Sequence, residues 1–361
     1  MKKYLVSLLA LFMLVTLSGC SKGKEKSDFD PIAEFGSDVL YVFNWGEYID
    51  EDNIEKFEKR YNVTVYYKTF DSNEEMYTAI VGGDKYDVIV PSDYMVERCI
   101  KEGLIQPLDL SKITNIGNLA DGLKSPDYDP DHTYSIPYFQ GSVGIVYDTT
   151  KVELSELEEK GWDILIDPKY AGEICLYDAD RDNFLPAMKS LGFSVNSIND
   201  DDIQKCYEWL VNQKKTMNPS YVTDEVQDIM INSQKTLAVT YSGTACYIMA
   251  DNEDMGYYEP YQGTNIWSDA MCITATSENV GLAHAWINFC LEEEVAEANS
   301  LWVGYTSNVQ SVIDKLSGED GEFYGINAYT PRVGYALDEE YHDDNILKTK
   351  LGELWNQVKF N

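Results

Sequence analysis

Apolar and polar positions alternate along this chain in two periods, one of helices and one of strands. Residues 39–45 are an apolar run of strand length, and 50–61 carry helix caps and charge pairs. Residues 63–70 alternate with period two, and 73–81 are helical and stop at Gly82-Gly83. Residues 86–91 (YDVIVP) read as a short buried strand, after which Ser92 or Asp93 caps a helix that ends at Gly103. This β-α-β-α-β-α order predicts the α/β class, a mostly parallel sheet flanked by helices. Ligands of such sheets sit beyond the carboxyl ends of the strands. Two of those ends carry polar and aromatic residues, Asn44-Trp45-Gly46-Glu47-Tyr48 and Pro91-Ser92-Asp93-Tyr94.

The middle of the chain repeats the alternation. Residues 134–148 read as two extended segments around Gly141. Helices are predicted at 152–160, 182–191, 201–214 and 224–232, and strands at 173–177, 236–241 and 265–275. This middle stretch reads as a second α/β unit; helices follow at 280–291 and 293–302, and an amphipathic helix is predicted at 345–359. A length of 361 residues agrees with about two domains.

Charge narrows the function. The chain carries 28 basic and 62 acidic residues, net −34, which opposes contact with nucleic-acid phosphates or anionic lipid. It suits a cationic partner, although an acidic surface also serves solubility. Tyr is heavily used, 27 residues beside 7 Trp and 12 Phe.

The start of the chain reads as an address. Lys2 and Lys3 precede an apolar run from Tyr4 to Leu17, which ends in Leu17-Ser18-Gly19-Cys20. That run suits a signal peptide better than a bilayer span. The small pair before Cys20 resembles a bacterial lipobox, which implies a leader over 1–19, lipidation of Cys20 and a flexible tether over 20–37. The globule is then expected outside the cytoplasm, held to the membrane by lipid. The six remaining cysteines show no clustering, so buried thiols and disulfides both stay open, with thiols favoured by the size of the globule.

Enzyme signatures are weak. Gly141-Ser142-Val143-Gly144 is not a nucleophile elbow. Gly82-Gly83 lacks the Lys-Ser/Thr of a phosphate loop. Asp127, Asp129 and Asp131 begin like a calcium loop, but Pro130 interrupts it and His132 stands where Gly is needed. His132, His284 and His342 are scattered. Neither catalysis, nor a metal, nor a cofactor is expected.

Six segments in order carry a resemblance: LYVFNWGEYI, VTVYYKTFDSNEEMYTAI, YDVIVPSDYMVERCIKEGLIQPLD, YSIPYFQGSVGIVYD, NIWSDAMCI and GYTSN. Over about 38–361 the chain resembles the spermidine/putrescine-binding subunits of bacterial polyamine ABC importers. The resemblance implies a two-lobed type II periplasmic-binding-protein fold with ligand between the lobes. Lobe one would comprise 38–140 and 270–320, and lobe two 141–269 and 321–361. It also implies a monomer that delivers putrescine or spermidine to a membrane permease and its ATPase. Rival readings are a binding protein for another cationic solute and a surface sensor or adhesin on the same fold.

A polyamine is a string of ammonium groups joined by methylenes. Carboxylates at the nitrogens and aromatic faces along the chain recognise it. The family pattern places Trp45, Glu47 and Tyr48, with Ser92 and Tyr94, in the cleft. Gly46 stands where relatives often have Thr or Ser. Trp267 and Asp269 match the family's aromatic and amine-facing carboxylate, and Tyr305 matches the Tyr of its Gly-Tyr-x-x-Asn motif. Tyr241 stands where relatives usually carry Trp. The acids of lobe two fall in Asp178, Asp180 and Asp182, with Asp178 or Asp180 acting beside Asp182. Alternatively the three form a helix N-cap cluster, at least one of them capping. Where a relative has Glu at the last position, Asp182 reaches less far. His342 falls roughly where some relatives have Gln. The acidic runs 292–294 and 338–340 read as solvated faces.

Overall fold

The computed structural model describes residues 29–330 and 332–360, so the leader, Cys20 and most of the tether lie outside the described residues. Among the described residues there are ten strands: β1 (Val39–Trp45), β2 (Thr64–Phe70), β3 (Val88–Ile89), β4 (Ser135–Asp148), β5 (Ile174–Tyr177), β6 (Ser220–Val222), β7 (Leu237–Tyr241), β8 (Met255–Tyr258), β9 (Ile266–Ile273) and β10 (Thr306–Ser307). They pair in the order β2-β1-β3-β9-β4-β7-β5-β6, with β8 and β10 also on β4.

The first α/β unit forms as its pattern predicts. Asp50 accepts from the Asp52 N–H to start helix Glu51–Tyr61. Ser72 accepts from the Glu75 N–H while Glu75 accepts from the Asp71 N–H, which closes the start of helix Asn73–Gly82. Gly83 and Gly103 end their helices in the left-handed region. Leu40, Val42, Met271 and Ile273 pack on Phe57, Trp286 and Phe289 on one face of the sheet. Phe43, Ile89 and Cys272 pack on Met76, Val96 and Cys99 on the other. The second half repeats this: Val143, Ile145, Leu176 and Val239 meet Trp162, Phe184 and Leu210. The six described cysteines are buried free thiols.

Three features depart from the sequence reading. Residues 135–148 are one strand and not two, with a register irregularity between Pro137 and Phe139. Gly141 does not break it: a Cβ there would lie 2.4 Å from Trp267 Cζ2, so the glycine admits the indole. Parallel pairing is confined to β2-β1-β3 and β6-β5-β7, while the strands that join the halves, β4 and β9, run antiparallel to their neighbours. The loop predicted after the helices at 280–302 holds a further helix, Gln310–Ser317, which sends Val312 and Leu316 into a cluster with Val146, Cys175 and Ala238. β4 thus runs through the molecule. Ile136 and Phe139 sit in the first core, Val143 and Ile145 in the second.

Asp129 serves a loop. Its carboxylate accepts from the Thr133, Tyr134 and Ser135 N–H groups and the Ser135 hydroxyl, at 2.8–3.0 Å.

Candidate functional site

The site assembles where strand ends from both halves meet. On the first half, Trp45 closes β1. Its indole N–H donates to the Val90 carbonyl at 3.0 Å, and its ring lies 4.6 Å from Phe70. The chain then turns through Glu47, an exposed residue at φ 51°, a conformation L side chains seldom adopt. The turn delivers Tyr48 inward, where its hydroxyl donates to Asp269 Oδ2 at 2.6 Å.

Asp269 lies on β9 and is 5% exposed. An isolated bridge pairs it with Ser92, and the Ala270 N–H donates to the Pro91 carbonyl. Ser92 occupies the N-cap position but gives no side-chain cap. Its hydroxyl instead accepts from Asn73 Nδ2 at 3.0 Å, and the same amide nitrogen donates to the Tyr94 hydroxyl at 3.0 Å. Burial pushes the Asp269 carboxyl up to about 6, against the hydrogen bonds of Ser92 and Tyr48, which favour the charge.

On the second half, Asp182 lies in the first turn of helix Asp180–Ser190 and is 8% exposed. The Tyr241 hydroxyl, at the end of β7, donates to its Oδ2 at 2.6 Å. Burial pushes this carboxyl up to about 6 as well, opposed by the Tyr241 bond and assisted by Asp180. Each half therefore offers one buried carboxylate held by one tyrosine.

An aromatic wall joins them. Tyr48 meets Tyr305 at 5.8 Å between centroids, Tyr305 meets Trp267 at 5.1 Å, Trp267 meets Tyr241 at 6.3 Å, and Tyr241 meets Tyr177 at 5.4 Å. All four contacts are edge-on, the favourable geometry for ring quadrupoles. Tyr305 seats on Gly243, where a Cβ would lie 1.3 Å from its Cδ1.

Tyr48, Ser92, Asp182, Tyr241, Trp267, Asp269 and Tyr305 are thus brought together, with Trp45 and Tyr94 beside them. Asp178 and Asp180 are not. Asp178 accepts from Trp355 Nε1 and Lys359 Nζ, both at 3.0 Å, and Asp180 Oδ2 faces Gly352 of the same helix, Asn345–Phe360. Nor does any of the three acids cap: Ala179 holds the N-cap position without a side-chain bond. Glu47 is exposed, and its side chain makes no hydrogen bond to the other described residues of the site. His342 is exposed, its Nδ1 3.6 Å from Glu97 Oε2.

Sequence reasoning missed other residues. Asp338 is no solvated acid: Arg332 donates to both its oxygens, at 2.7 and 2.8 Å. Glu339 is paired with Lys189. Glu340 is pushed up to about 7 by burial and by Asp127. Asp93 is 1% exposed, and burial with the fields of Glu340 and Asp269 holds its carboxyl well above the ordinary range. The position of Asp93 between Ser92 and Tyr94 was the one available signal.

Residues 53–323 match the family model of bacterial extracellular solute-binding proteins. The spermidine/putrescine-binding periplasmic protein of Escherichia coli strain K12 is 31% identical over 274 residues, 74% of this chain and 77% of that one. The spermidine/putrescine-binding periplasmic protein 1 of Haemophilus influenzae is 28% identical over 352 residues, 95% of each chain. The crystal structure of the spermidine/putrescine ABC transporter substrate-binding protein PotD from Streptococcus pneumoniae, with calcium and HEPES, has a TM-score of 0.78 at 35% identity. That likeness covers 90% of this chain and 99% of that one. The agreement extends through both halves and the strands that join them, and on it the chain belongs to the family of bacterial extracellular solute-binding proteins.

Proposed function

We propose that this protein captures a polyamine outside the cytoplasm, in the site between its halves, and presents it to an ABC permease. The observation that carries this reading is the pair of buried carboxylates, Asp182 and Asp269, one on each half and joined by an aromatic wall. Two ammonium groups linked by methylenes complement that arrangement. Each ammonium meets a carboxylate, and the methylenes meet ring faces. An anionic solute would meet two buried negative charges. The names of the relatives support the same substrate class.

The mechanism is binding and closure. The two halves divide along β4 near Gly141 and along β9, and strands of this kind serve as hinges. Ligand held by both Asp182 and Asp269 favours the arrangement that brings them together. Net charge of −34 steers the cation inward, an effect that salt weakens. Cys20 carries the lipid that holds the globule near its permease. Among the described residues no helix is long and apolar enough to cross a membrane.

Isothermal titration calorimetry of residues 21–361 with putrescine, cadaverine, spermidine and spermine tests the reading. One-to-one binding in the micromolar range or tighter is expected. No heat from any of the four, with a folded sample, overturns it.

Two variants test the site. Asp178→Asn is expected to bind within twofold of wild type, because Asp178 faces the Asn345–Phe360 helix; a tenfold loss would place it in the cleft. Gly243→Ala is expected to weaken binding at least ~10-fold, because the new methyl displaces the Tyr305 ring. Unchanged affinity in Gly243→Ala would remove Tyr305 from the wall.

A further inference from the structure

The two halves also touch through side chains that no ligand contact requires. Helices Asn73–Gly82 and Asp93–Glu102 belong to the first half, since Met76, Val96 and Cys99 lie in its core. Facing them is the stretch 341–348, whose Tyr341 and Leu347 lie in the core of the second half. Contacts between these pieces therefore join one half to the other. Glu97 Oε2 accepts from the Asp343 N–H at 2.8 Å. Glu97 Oε1 pairs with Lys101 Nζ at 3.1 Å, and that ammonium lies 3.9 Å from Asp343 Oδ2. Further along, Lys348 Nζ donates to Glu74 Oε1.

Arg181 of the second half adds a fourth link. Its guanidinium lies over the ring of Tyr94, at 4.8 Å, and over that of Tyr341, at 5.0 Å. Nη2 donates to the His342 carbonyl at 3.1 Å, while Nη1 is buried without a hydrogen-bond partner, so ring faces hold that side of the group. Tyr94 packs on the cores of both halves.

These links share two properties. Glu97 and Asp343 are 246 residues apart and Glu74 and Lys348 are 274 apart, so each link exists only where the halves meet. Their strength is also graded. The bond from the Asp343 N–H to Glu97 is charge-assisted, whereas the side chains of Lys348 and Glu74 stay 37% and 45% exposed and can be screened by salt. Arg181 precedes Asp182 in the first turn of one helix, which ties the links to a ligand carboxylate without placing them on the ligand.

We propose that Glu74, Glu97, Arg181 and Lys348, with the Asp343 N–H, form a latch that holds the halves closed and sets how long ligand is kept. The inference rests on the capture-and-closure reading and adds a source of closure that is independent of ligand. A contact made only in the closed arrangement favours that arrangement with or without ligand, and ligand leaves only when it opens.

The experiment is stopped-flow tryptophan fluorescence with spermidine, at low and at high salt, on residues 21–361. Wild type is compared with Glu97→Ala, with Lys348→Glu and with the exchange Glu74→Lys plus Lys348→Glu. Small-angle X-ray scattering compares the ligand-free samples. Glu97→Ala and Lys348→Glu are each expected to raise koff ~3-fold or more at low salt without lowering kon. The exchange keeps the net charge and is expected to return koff to within twofold of wild type. High salt is expected to narrow the difference between Lys348→Glu and wild type. Ligand-free Lys348→Glu is expected to scatter as a more open particle than wild type. Unchanged koff and scattering in both single variants overturn the latch and leave these links as incidental surface contacts. A raised koff that the exchange does not correct overturns it too, because the substitutions would then have distorted the halves. A lowered kon with koff unchanged overturns it by assigning these residues to steering. Wild type that binds neither spermidine nor putrescine in calorimetry removes the polyamine reading, and the scattering comparison alone then decides the latch.

Discussion

Asp269→Asn and Asp182→Asn are each expected to weaken polyamine binding by ~100-fold or more, and each to make the ligand-free protein more stable at pH 8. The first effect follows from loss of a buried charge-assisted hydrogen bond to an ammonium. Truncating one partner of such a pair costs about 2–5 kcal/mol, and ~100-fold corresponds to about 2.7 kcal/mol. The second follows from the same burial. Both carboxyls are pushed from 3.8 to about 6 in the folded protein. The folded state therefore keeps these protons up to about pH 6, while the unfolded chain releases them near the ordinary carboxyl value. Stability falls as pH rises between those values and stays lowered above them. Asn cannot ionise and escapes a penalty of order 1–3 kcal/mol per site, a rise of a few degrees in melting temperature. The gain is expected at pH 8 and should largely vanish at pH 4. Calorimetric titration and scanning calorimetry at both pH values check the pair of effects. A variant that loses binding and also loses stability at pH 8 would make these carboxylates structural.

Affinity is expected to fall steeply with acid, by up to ~100-fold between pH 8 and pH 5. A carboxyl that titrates near 6 when free is about one-tenth ionised at pH 5, and two such groups multiply. The amines keep their charge throughout, so the loss belongs to the protein. Binding near pH 6 should then release protons, seen as a dependence of the measured heat on the buffer's ionisation enthalpy. Removing either carboxylate should flatten the profile to about a tenfold change. Affinity that is level from pH 8 to pH 5 would show that Asp182 and Asp269 stay ionised without ligand.

Much of the architecture was legible because its signals are local. Asp50, Ser72, Gly83 and Gly103 mark helix ends by their own backbone and side-chain chemistry. Gly141 misled because a glycine inside an apolar run reads as a breaker, whereas here it yields space to Trp267, 126 positions further along. The register of the three acids at 178–182 stayed open for a related reason. Spacing cannot tell which way β5 and the following helix turn each one. That is decided by Trp355 and Lys359 for Asp178 and by Tyr241 for Asp182.

The sequence by itself determined the alternating strands and helices, the acidic charge, and the aromatic and carboxylate residue types a cationic ligand needs. Those properties reside in single residues and short periods, which no fold can alter. Only the tertiary structure decided which acids are buried and what holds them. Asp269 depends on Tyr48, 221 residues away, and Asp182 on Tyr241, 59 away. Glu340 left an apparently solvated run for a burial that pushes its carboxyl up to about 7. A carboxylate gains recognition strength when water is removed and partners are fixed around it. Both conditions are set by distant segments that meet only when the halves fold together.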